Sequence, residues 1–454
     1  MNNLCVVILA AGRGTRMYSD IPKVLHPIGN KPMLTHVIDT AQTLQPTLIS
    51  VVVGFGREMV IDKVNRPVQW VEQTEQLGTG HAMQCAMPTL PENGITLILY
   101  GDVPLIDKTS LQELIDVASE CKLAVLTDIV NNPTGYGRII RCDKQKIIGI
   151  VEEKDANNQQ KQIKEINTGI IAVDNQHLAN YLKKLNNNNA QQEYYLTDII
   201  ELAVQNGIEV KSVTVKEHYL VAGVNNKLQL AELTRIYQQN LAKELMLSGV
   251  SINDHTRFDL RGTLNHGKDV IIDVDTIFEG ECTLGNRVKI GAFCVLKNVT
   301  IADDVEIKPF SHLENCTIGA NSQIGPFSRL RPDAVLAENT HIGNFVEIKK
   351  SFIGNGSKVN HLTYIGDTHI GQNTNIGAGT VTCNYDGVNK FKTEIGDEVR
   401  IGSGTLLVAP VKVGNRATTG AGSVITKNCP AEKLTISRVR QNTIDNWVRP
   451  EKDK

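Results

Sequence analysis

The chain has 454 residues, with 47 Lys plus Arg against 49 Asp plus Glu, a formal net charge of -2 and 5% aromatic residues. That is too long for one ordinary hydrophobic core, so two or more domains are expected. The balanced charge argues against a nucleic-acid or other general polyanion binder, which needs basic surface to displace counterions from phosphates. The first apolar run, Cys5 to Ala11, is far shorter than the roughly 18 residues of a membrane helix, and no Lys or Arg precedes it, so neither a membrane segment nor a signal peptide is expected. Nine scattered cysteines without a C-x-x-C pair argue against a disulfide framework or a cysteine zinc site, and point to a reducing, cytoplasmic compartment.

Taken in chain order, residues 1–227 alternate apolar runs with segments of helical period. Cys5–Leu9, Leu48–Val53, Thr96–Tyr100 and Leu123–Thr127 read as buried strands, and Met33–Leu44 and Ser110–Ser119 as helices. This alternation predicts an α/β domain with a mostly parallel sheet, whose chemistry lies in loops beyond the carboxyl ends of the strands. Directly after the first strand comes Leu9-Ala-Ala-Gly-Arg-Gly-Thr-Arg-Met17, followed by Ile21-Pro-Lys-Val-Leu25. Backbone amides of such a turn can approach phosphates closely. It is not a Walker A loop, since no Gly-Lys-Ser/Thr follows, and Met17 replaces the third glycine of the dinucleotide fingerprint.

Residues 228–248 read as a linker helix with an apolar face at Leu230, Leu233, Tyr237, Leu241 and Leu245, stopped by Gly249. From 249 to 454 a hexapeptide period appears, with aliphatic anchors such as Leu284, Ile290, Leu296, Ile301, Ile307, Leu313 and Ile318 recurring every six residues, occasionally five, and often followed by Gly. That period is the signature of a parallel β-helix, with glycine expected at the corner turns. Of 37 glycines, 22 fall after residue 227, in keeping with this difference between the halves. The repeat breaks at Thr382–Thr393, where a protruding loop is expected, and ends in a basic tail with Arg438, Arg440, Arg449, Lys452 and Lys454.

The glycine string with Pro22-Lys23 resembles the sugar-nucleotide pyrophosphorylase signature. Further matches are Gln73, Gln76-Leu-Gly-Thr-Gly-His-Ala82, Tyr100-Gly-Asp-Val-Pro-Leu105, Pro133-Thr-Gly-Tyr-Gly-Arg138, Glu165-Ile-Asn-Thr-Gly169 and Gly223-Val-Asn-Asn226. Together with the hexapeptide half, the whole chain resembles the bacterial bifunctional N-acetylglucosamine-1-phosphate uridyltransferases and glucosamine-1-phosphate N-acetyltransferases. The resemblance implies a Rossmann-like nucleotidyltransferase domain followed by a left-handed parallel β-helix. It also implies two reactions that make UDP-N-acetylglucosamine for peptidoglycan and lipopolysaccharide synthesis.

For the nucleotidyl half the resemblance implies that Asp102 and Asn225 hold Mg²⁺, and that Arg16 and Lys23 neutralise the triphosphate of UTP. Leu9, Ala10, Ala11, Gly12, Gln73, Gly78 and Thr79 would hold uridine beside Tyr100 and Gly101, with Gly137, Glu152 and Asn167 on the sugar of N-acetylglucosamine 1-phosphate. For the β-helix half it implies His361 as general base, with Arg331, Lys349, Tyr364 and Asn375 on glucosamine 1-phosphate. Acetyl-CoA would meet Ala378, Asn384, Tyr385, Ser403, Ala421 and Arg438. Residue chemistry agrees with such roles: an oxygen-only ligand pair suits a hard cation, and His is the side chain whose proton affinity suits abstraction near neutral pH. Two departures stand out: Ala222 where an acidic residue is expected, and Asn360 where a small residue is expected before the histidine. The family assembles as homotrimers. An alternative reading is a single-activity sugar-1-phosphate nucleotidyltransferase whose β-helix oligomerises or regulates, and another is a non-catalytic scaffold.

Overall fold

A computed structural model describes residues 3–452, so Lys454 of the basic tail lies outside the described residues. Contacts divide the chain into two units, one up to Tyr237 and one from Gln238 onward.

The first unit is a mixed sheet flanked by helices. Its strands in chain order are β1 (Leu4–Leu9), β2 (Leu48–Val53), β3 (Gln69–Glu72), β4 (Ile95–Tyr100), β5 (Leu123–Ile129), the hairpin β6 (Gly137–Arg141) and β7 (Ile147–Val151), β8 (Glu165–Asp174) and β9 (Lys211–Thr214). Across the sheet the order is β9-β5-β8-β4-β1-β2-β3. All neighbours on that path are parallel except the long β8, which runs antiparallel to both β4 and β5. The central strands are buried on both faces, which is why they read as unbroken Val, Ile and Leu runs. Helices α1 (Met33–Gln42), α2 (Arg57–Val64), α3 (Thr79–Ala86), α4 (Lys108–Cys121), α5 (Asn175–Leu182) and α6 (Asp198–Gln205) supply the crossovers and cover. Helix α4 starts two residues before the apolar period suggests. The Asp107 carboxylate caps it by accepting from Thr109 N (3.0 Å) and Ser110 N (3.2 Å).

Helix α7 (Lys227–Leu247) carries the chain from one unit to the other, and the contact divide falls inside it. Its first turns place Leu230, Leu233, Ile236 and Tyr237 in a cluster with Met17, Ile28 and Met33. Its last turns place Leu241, Ala242 and Leu245 on the core of the second unit.

The second unit is a stack of parallel strands from Ser251–Ile252 to Leu434–Thr435. Leu284, Ile301, Ile318, Leu336, Ile353 and Ile370 lie in register one above another, so each coil takes 17 or 18 residues and the occasional five-residue step closes its third side. Ile370 then pairs with Ile395 rather than with a residue one normal coil away. The excess is the loop that breaks the repeat, in which Tyr385 and Lys390 form an isolated antiparallel bridge.

The corner role expected for the repeat glycines holds only in part: Gly280, Gly325, Gly356, Gly379, Gly404 and Gly422 do adopt positive φ. Many corners are turned in the left-handed region by Asn, Asp or Phe, including Asn298, Asp304, Phe310 and Asn339. Most glycines that directly follow anchors serve close coil stacking: a Cβ at Gly319 would sit 2.5 Å from Ala337 C, and one at Gly343 2.0 Å from Asn360 O. The aliphatic anchors fill the prism. Ile307, 1% exposed, is a typical one, and Ile307→Ala is expected to destabilise the second unit by about 2–5 kcal/mol, read as a lowered urea midpoint.

Candidate active sites

Strand register builds the first site. Leu9 pairs with Tyr100, so the turns after β1 and β4 open side by side, with Gly101 N donating to Leu9 O (2.9 Å) and Ala10 N to Val52 O (2.8 Å). A cavity of about 430 Å³ at these strand ends is lined by Leu9, Ala10, Ala11, Gly12, Lys23, Gln73, Gly78, Thr79, Tyr100 and Asp102. Arg13, Gln76 and Glu193 also line it, although sequence reasoning assigned none of them a role. Gly14 has φ +64°, and a Cβ there would meet Lys23 Cβ at 2.5 Å. A glycine at this point lets the Lys23 segment fold back against the turn.

Lys23 is the hub of the site. Its ammonium donates to Asp102 Oδ2 (2.5 Å) and Asn225 Oδ1 (3.3 Å), and Arg16 donates to the same amide oxygen (3.1 Å). Asn225 is brought here because Val224 N donates to Asp102 O (2.9 Å). Arg16 and Asn225 do not line the cavity; they reach it through these bonds. Gly101 lies beneath it. Among the described residues no group of three or more His, Cys, Asp or Glu could hold a metal. The Asp102 carboxylate and Asn225 amide oxygen nonetheless converge on one positive charge, supplied here by Lys23. A two-oxygen protein site suits a cation that keeps several waters and takes its other ligands from phosphates.

Gly137, Glu152 and Asn167 form a second group. Gly137 pairs with Asn167, and Arg138 with Val151, which sets Gly137 beside Glu152. Thr197, also missed in sequence, donates to Glu152 Oε1 (2.9 Å), while Thr79 Oγ1 accepts from Leu196 N (3.1 Å) and ties this group to the cavity wall. Burial, with Glu152 and Asp102 nearby, pushes the Tyr100 hydroxyl well above its ordinary range, so it stays protonated. Burial also raises Glu152.

In the second unit, one corner of the coil stack carries Phe293, Phe310, Phe327 and Phe345 as an exposed ladder with ring centroids 5.0, 4.9 and 5.4 Å apart. Leu362 continues it, and Gly379, Gly404 and Gly422 take the same left-handed corner position in later coils. Bulk thus gives way to bare backbone just past His361. The residues preceding those glycines are Ala378, Ser403 and Ala421. A ladder of bonds runs along them: Gly379 N to His361 O (3.1 Å), Gly404 N to Ala378 O (2.7 Å), Gly422 N to Ser403 O (2.8 Å) and Arg438 to Ala421 O (2.7 Å). His361 Nδ1 donates to Asn344 Oδ1 (3.1 Å), which leaves Nε2 free to accept a proton.

Arg331 and Lys349 lie on adjacent coils near the next corner, with Arg331 N donating to Ile348 O (2.8 Å). Tyr364 stands on the strand between the two corners, while Asn375 lies on the other side of the His361 corner. At about 3.3 Å per residue, the strand from His361 to Asp367 separates the two corners by roughly 15–20 Å within one chain. Arg331 is paired with Glu347 (2.8 Å), and Asn384, in the protruding loop, with Asp367 (2.6 Å). The same loop brings Lys390 against Lys349, and the nearby positive charge lowers the proton affinity of Lys349. Lys390 went unnoticed in sequence because nothing local distinguishes it from a solvated loop lysine. Tyr385 is exposed, with its hydroxyl turned to the Gly387 carbonyl.

The fold and both sites define a nucleotidyltransferase joined to a hexapeptide-repeat transferase. Family descriptions match accordingly: MobA-like NTP transferase domain over residues 6–148, GMPPB C-terminal domain over 261–342 and bacterial transferase hexapeptide over 392–427. Over 453 residues, 100% of this chain and 99% of each relative, the chain is 60% identical to the bifunctional protein GlmU of Neisseria meningitidis serogroup C. It is 58% identical to that of Neisseria gonorrhoeae and 56% identical to that of Chromobacterium violaceum over the same spans. The chain belongs to the GlmU family of bifunctional proteins. Among the described residues no helix is long and apolar enough to cross a membrane.

Asp198, at the start of α6, provides a test of the electrostatics around Glu152. Burial and then Glu152 push its carboxyl up to about 6. The folded state therefore holds the extra proton between 3.8 and about 6, and the stability this confers is lost as pH rises through 6. Asp198→Asn is expected to raise the melting temperature at pH 7.5 by a few degrees, with the gain shrinking as pH falls below 6. A pH-independent change in thermal scans would contradict this.

Proposed function

We propose that the chain makes UDP-N-acetylglucosamine in two steps, acetylating glucosamine 1-phosphate with acetyl-CoA in the β-helix unit and then uridylating the product in the first unit. The observation that carries the first-unit assignment is the convergence of Lys23, Arg16, Asp102 and Asn225, from separate segments, at a cavity floored by a glycine turn. There the N-acetylglucosamine 1-phosphate oxygen, already ionised near neutral pH, attacks the α-phosphorus of UTP. The new P–O bond forms as the α–β bridging bond breaks and pyrophosphate leaves, so no general base is required and repulsion between anions is the main obstacle. Lys23 and Arg16 neutralise the triphosphate, the Leu9–Gly12 turn with Gln73, Gly78 and Thr79 holds uridine, and Gly137, Glu152 and Asn167 orient the sugar. Asp102 and Asn225 would hold Mg²⁺, which when bound supplies further neutralisation of phosphate charge.

In the second unit, Asn344 keeps the His361 proton on Nδ1, so Nε2 takes a proton from the sugar ammonium. The freed amine attacks the thioester carbonyl and CoA thiolate leaves, to be protonated. Arg331, Lys349 and Lys390 suit the sugar phosphate, with Tyr364 on the sugar; since that corner lies roughly 15–20 Å from His361 within one chain, these residues would meet His361 and Asn375 of a second copy of the chain. The Ala378–Ser403–Ala421 line with Asn384, Tyr385 and Arg438 suits acetyl-CoA. Residues 1–227 and 249–454 would then be the two catalytic domains, in a cytoplasmic homotrimer. The exposed Phe corner favours coverage by a second copy; an equilibrium-sedimentation mass of one chain would contradict that assembly.

With glucosamine 1-phosphate, acetyl-CoA and UTP supplied together, both CoA thiol and pyrophosphate should be released. Asp102→Ala should lower pyrophosphate release by about 10²-fold or more while sparing thiol release. His361→Ala should do the reverse, by about 10²–10⁴-fold. Thiol release missing from the unsubstituted chain would favour the single-activity reading.

A further inference from the structure

His26 and Lys227 join the two halves of the Lys23 site a second time. Lys23 bonds Asn225 (3.3 Å); three residues beyond Lys23, His26 Nδ1 lies 3.2 Å from the ammonium of Lys227, two residues beyond Asn225. The imidazole is 4% exposed, and its backbone carbonyl accepts from Met33 N (3.1 Å) at the start of α1. On the other side, the Asn225 turn is closed by Gln229, which accepts from Asn225 N (2.8 Å) and donates to Asn226 Oδ1 (2.9 Å).

An ammonium can only donate, so Nδ1 is the acceptor and the proton of this neutral ring sits on Nε2. Nε2 is buried and meets no hydrogen-bond partner among the described residues. A buried donor without a partner is unfavourable, and such a group calls for an explanation. Burial and then the Lys227 charge lower the proton affinity of the ring, which keeps the Nδ1 lone pair available.

We propose that His26 is a positioning residue for nucleotidyl transfer, its Nδ1 lone pair anchoring the Lys227 ammonium and so pinning the Asn225 turn against the segment that carries Lys23. The inference rests on the uridyl-transfer reading above. The unmet Nε2 donor is then the consequence of a tautomer chosen by Lys227.

Substitutions at position 26 separate this role from simple packing. His26→Asn puts an amide oxygen where Nδ1 stood and can still accept from Lys227, whereas His26→Gln puts its amide where Nε2 stood and His26→Leu offers no acceptor. His26→Asn should keep kcat for pyrophosphate release within roughly threefold of the unsubstituted chain. His26→Gln and His26→Leu should lose roughly ten- to hundredfold, more in kcat than in KM for UTP. Lys227→Met should match His26→Leu, and the double variant should be no worse than either alone. Thiol release by the other unit should be unchanged throughout. Independently of activity, ring ¹⁵N shifts of labelled protein should report an Nε2-protonated His26.

An Nδ1-protonated ring, or His26→Asn as impaired as His26→Leu, or full activity in all the variants, would overturn the proposal. Lys227→Met, at an exposed position, decides the matter if the buried substitutions prevent folding: loss of pyrophosphate release supports the clasp and full activity overturns it. A chain that releases no pyrophosphate before any substitution would instead overturn the reading on which the proposal rests.

Discussion

Parallel strands cannot be joined by a tight turn, so each parallel pair obliges the chain to travel back before it pairs again, and both units are organised around that return. In the first unit the return is mostly a helix, which leaves the carboxyl ends of β1, β2, β3 and β4 at one edge of the sheet. The turns that follow them supply the glycine loop, Gln73 and Asp102 to one cavity. In the second unit the return is the rest of the coil, so residues 17 or 18 apart stack in columns. His361, Ala378, Ser403 and Ala421 line up for that reason, and the inserted loop shifts the spacing between Ala378 and Ser403 without breaking the line.

Charge is handled locally in each unit. A chain of net charge -2 can bind anionic substrates because each site gathers its own few cations and holds them with nearby acceptors. Lys23 is kept in place by Asp102 and Asn225, and Arg331 by Glu347. Lys349 and Lys390 are the exception, two like charges held together. Around Glu152 the sign reverses: Asp198, Asp155 and Glu193 lie near enough to raise the proton affinity of one or more of these carboxyls, which suits a neutral, hydroxyl-rich ligand better than a phosphate.

Periodicity and local strings reveal those features whose physical cause lies within a few residues. The β-helix was legible because every coil must bury an aliphatic anchor at each side, so the period repeats from Leu284 to Ile376 and resumes at Ile395. The glycine turn was legible because β1 must end and phosphate-approaching backbone must begin within Leu9–Met17. Only the corner role of the repeat glycines was legible; the Cβ clash that excludes other residues at Gly319 or Gly343 comes from a neighbouring coil 17 or 18 residues away.

The sequence alone determined the two architectures, the linker helix, read at 228–248 and found one residue earlier, and the segments that carry chemistry, because each is encoded by short-range pattern. Only the tertiary structure decided which side chains meet. Thr197 acts on Glu152, Asn344 sets the tautomer of His361, Lys390 is delivered by a loop, and His26 faces Lys227 from 201 residues away. None of these residues belongs to a pattern at its own position. Their roles arise from partners that strand register and coil stacking bring close, and contacts of that kind have no local signature.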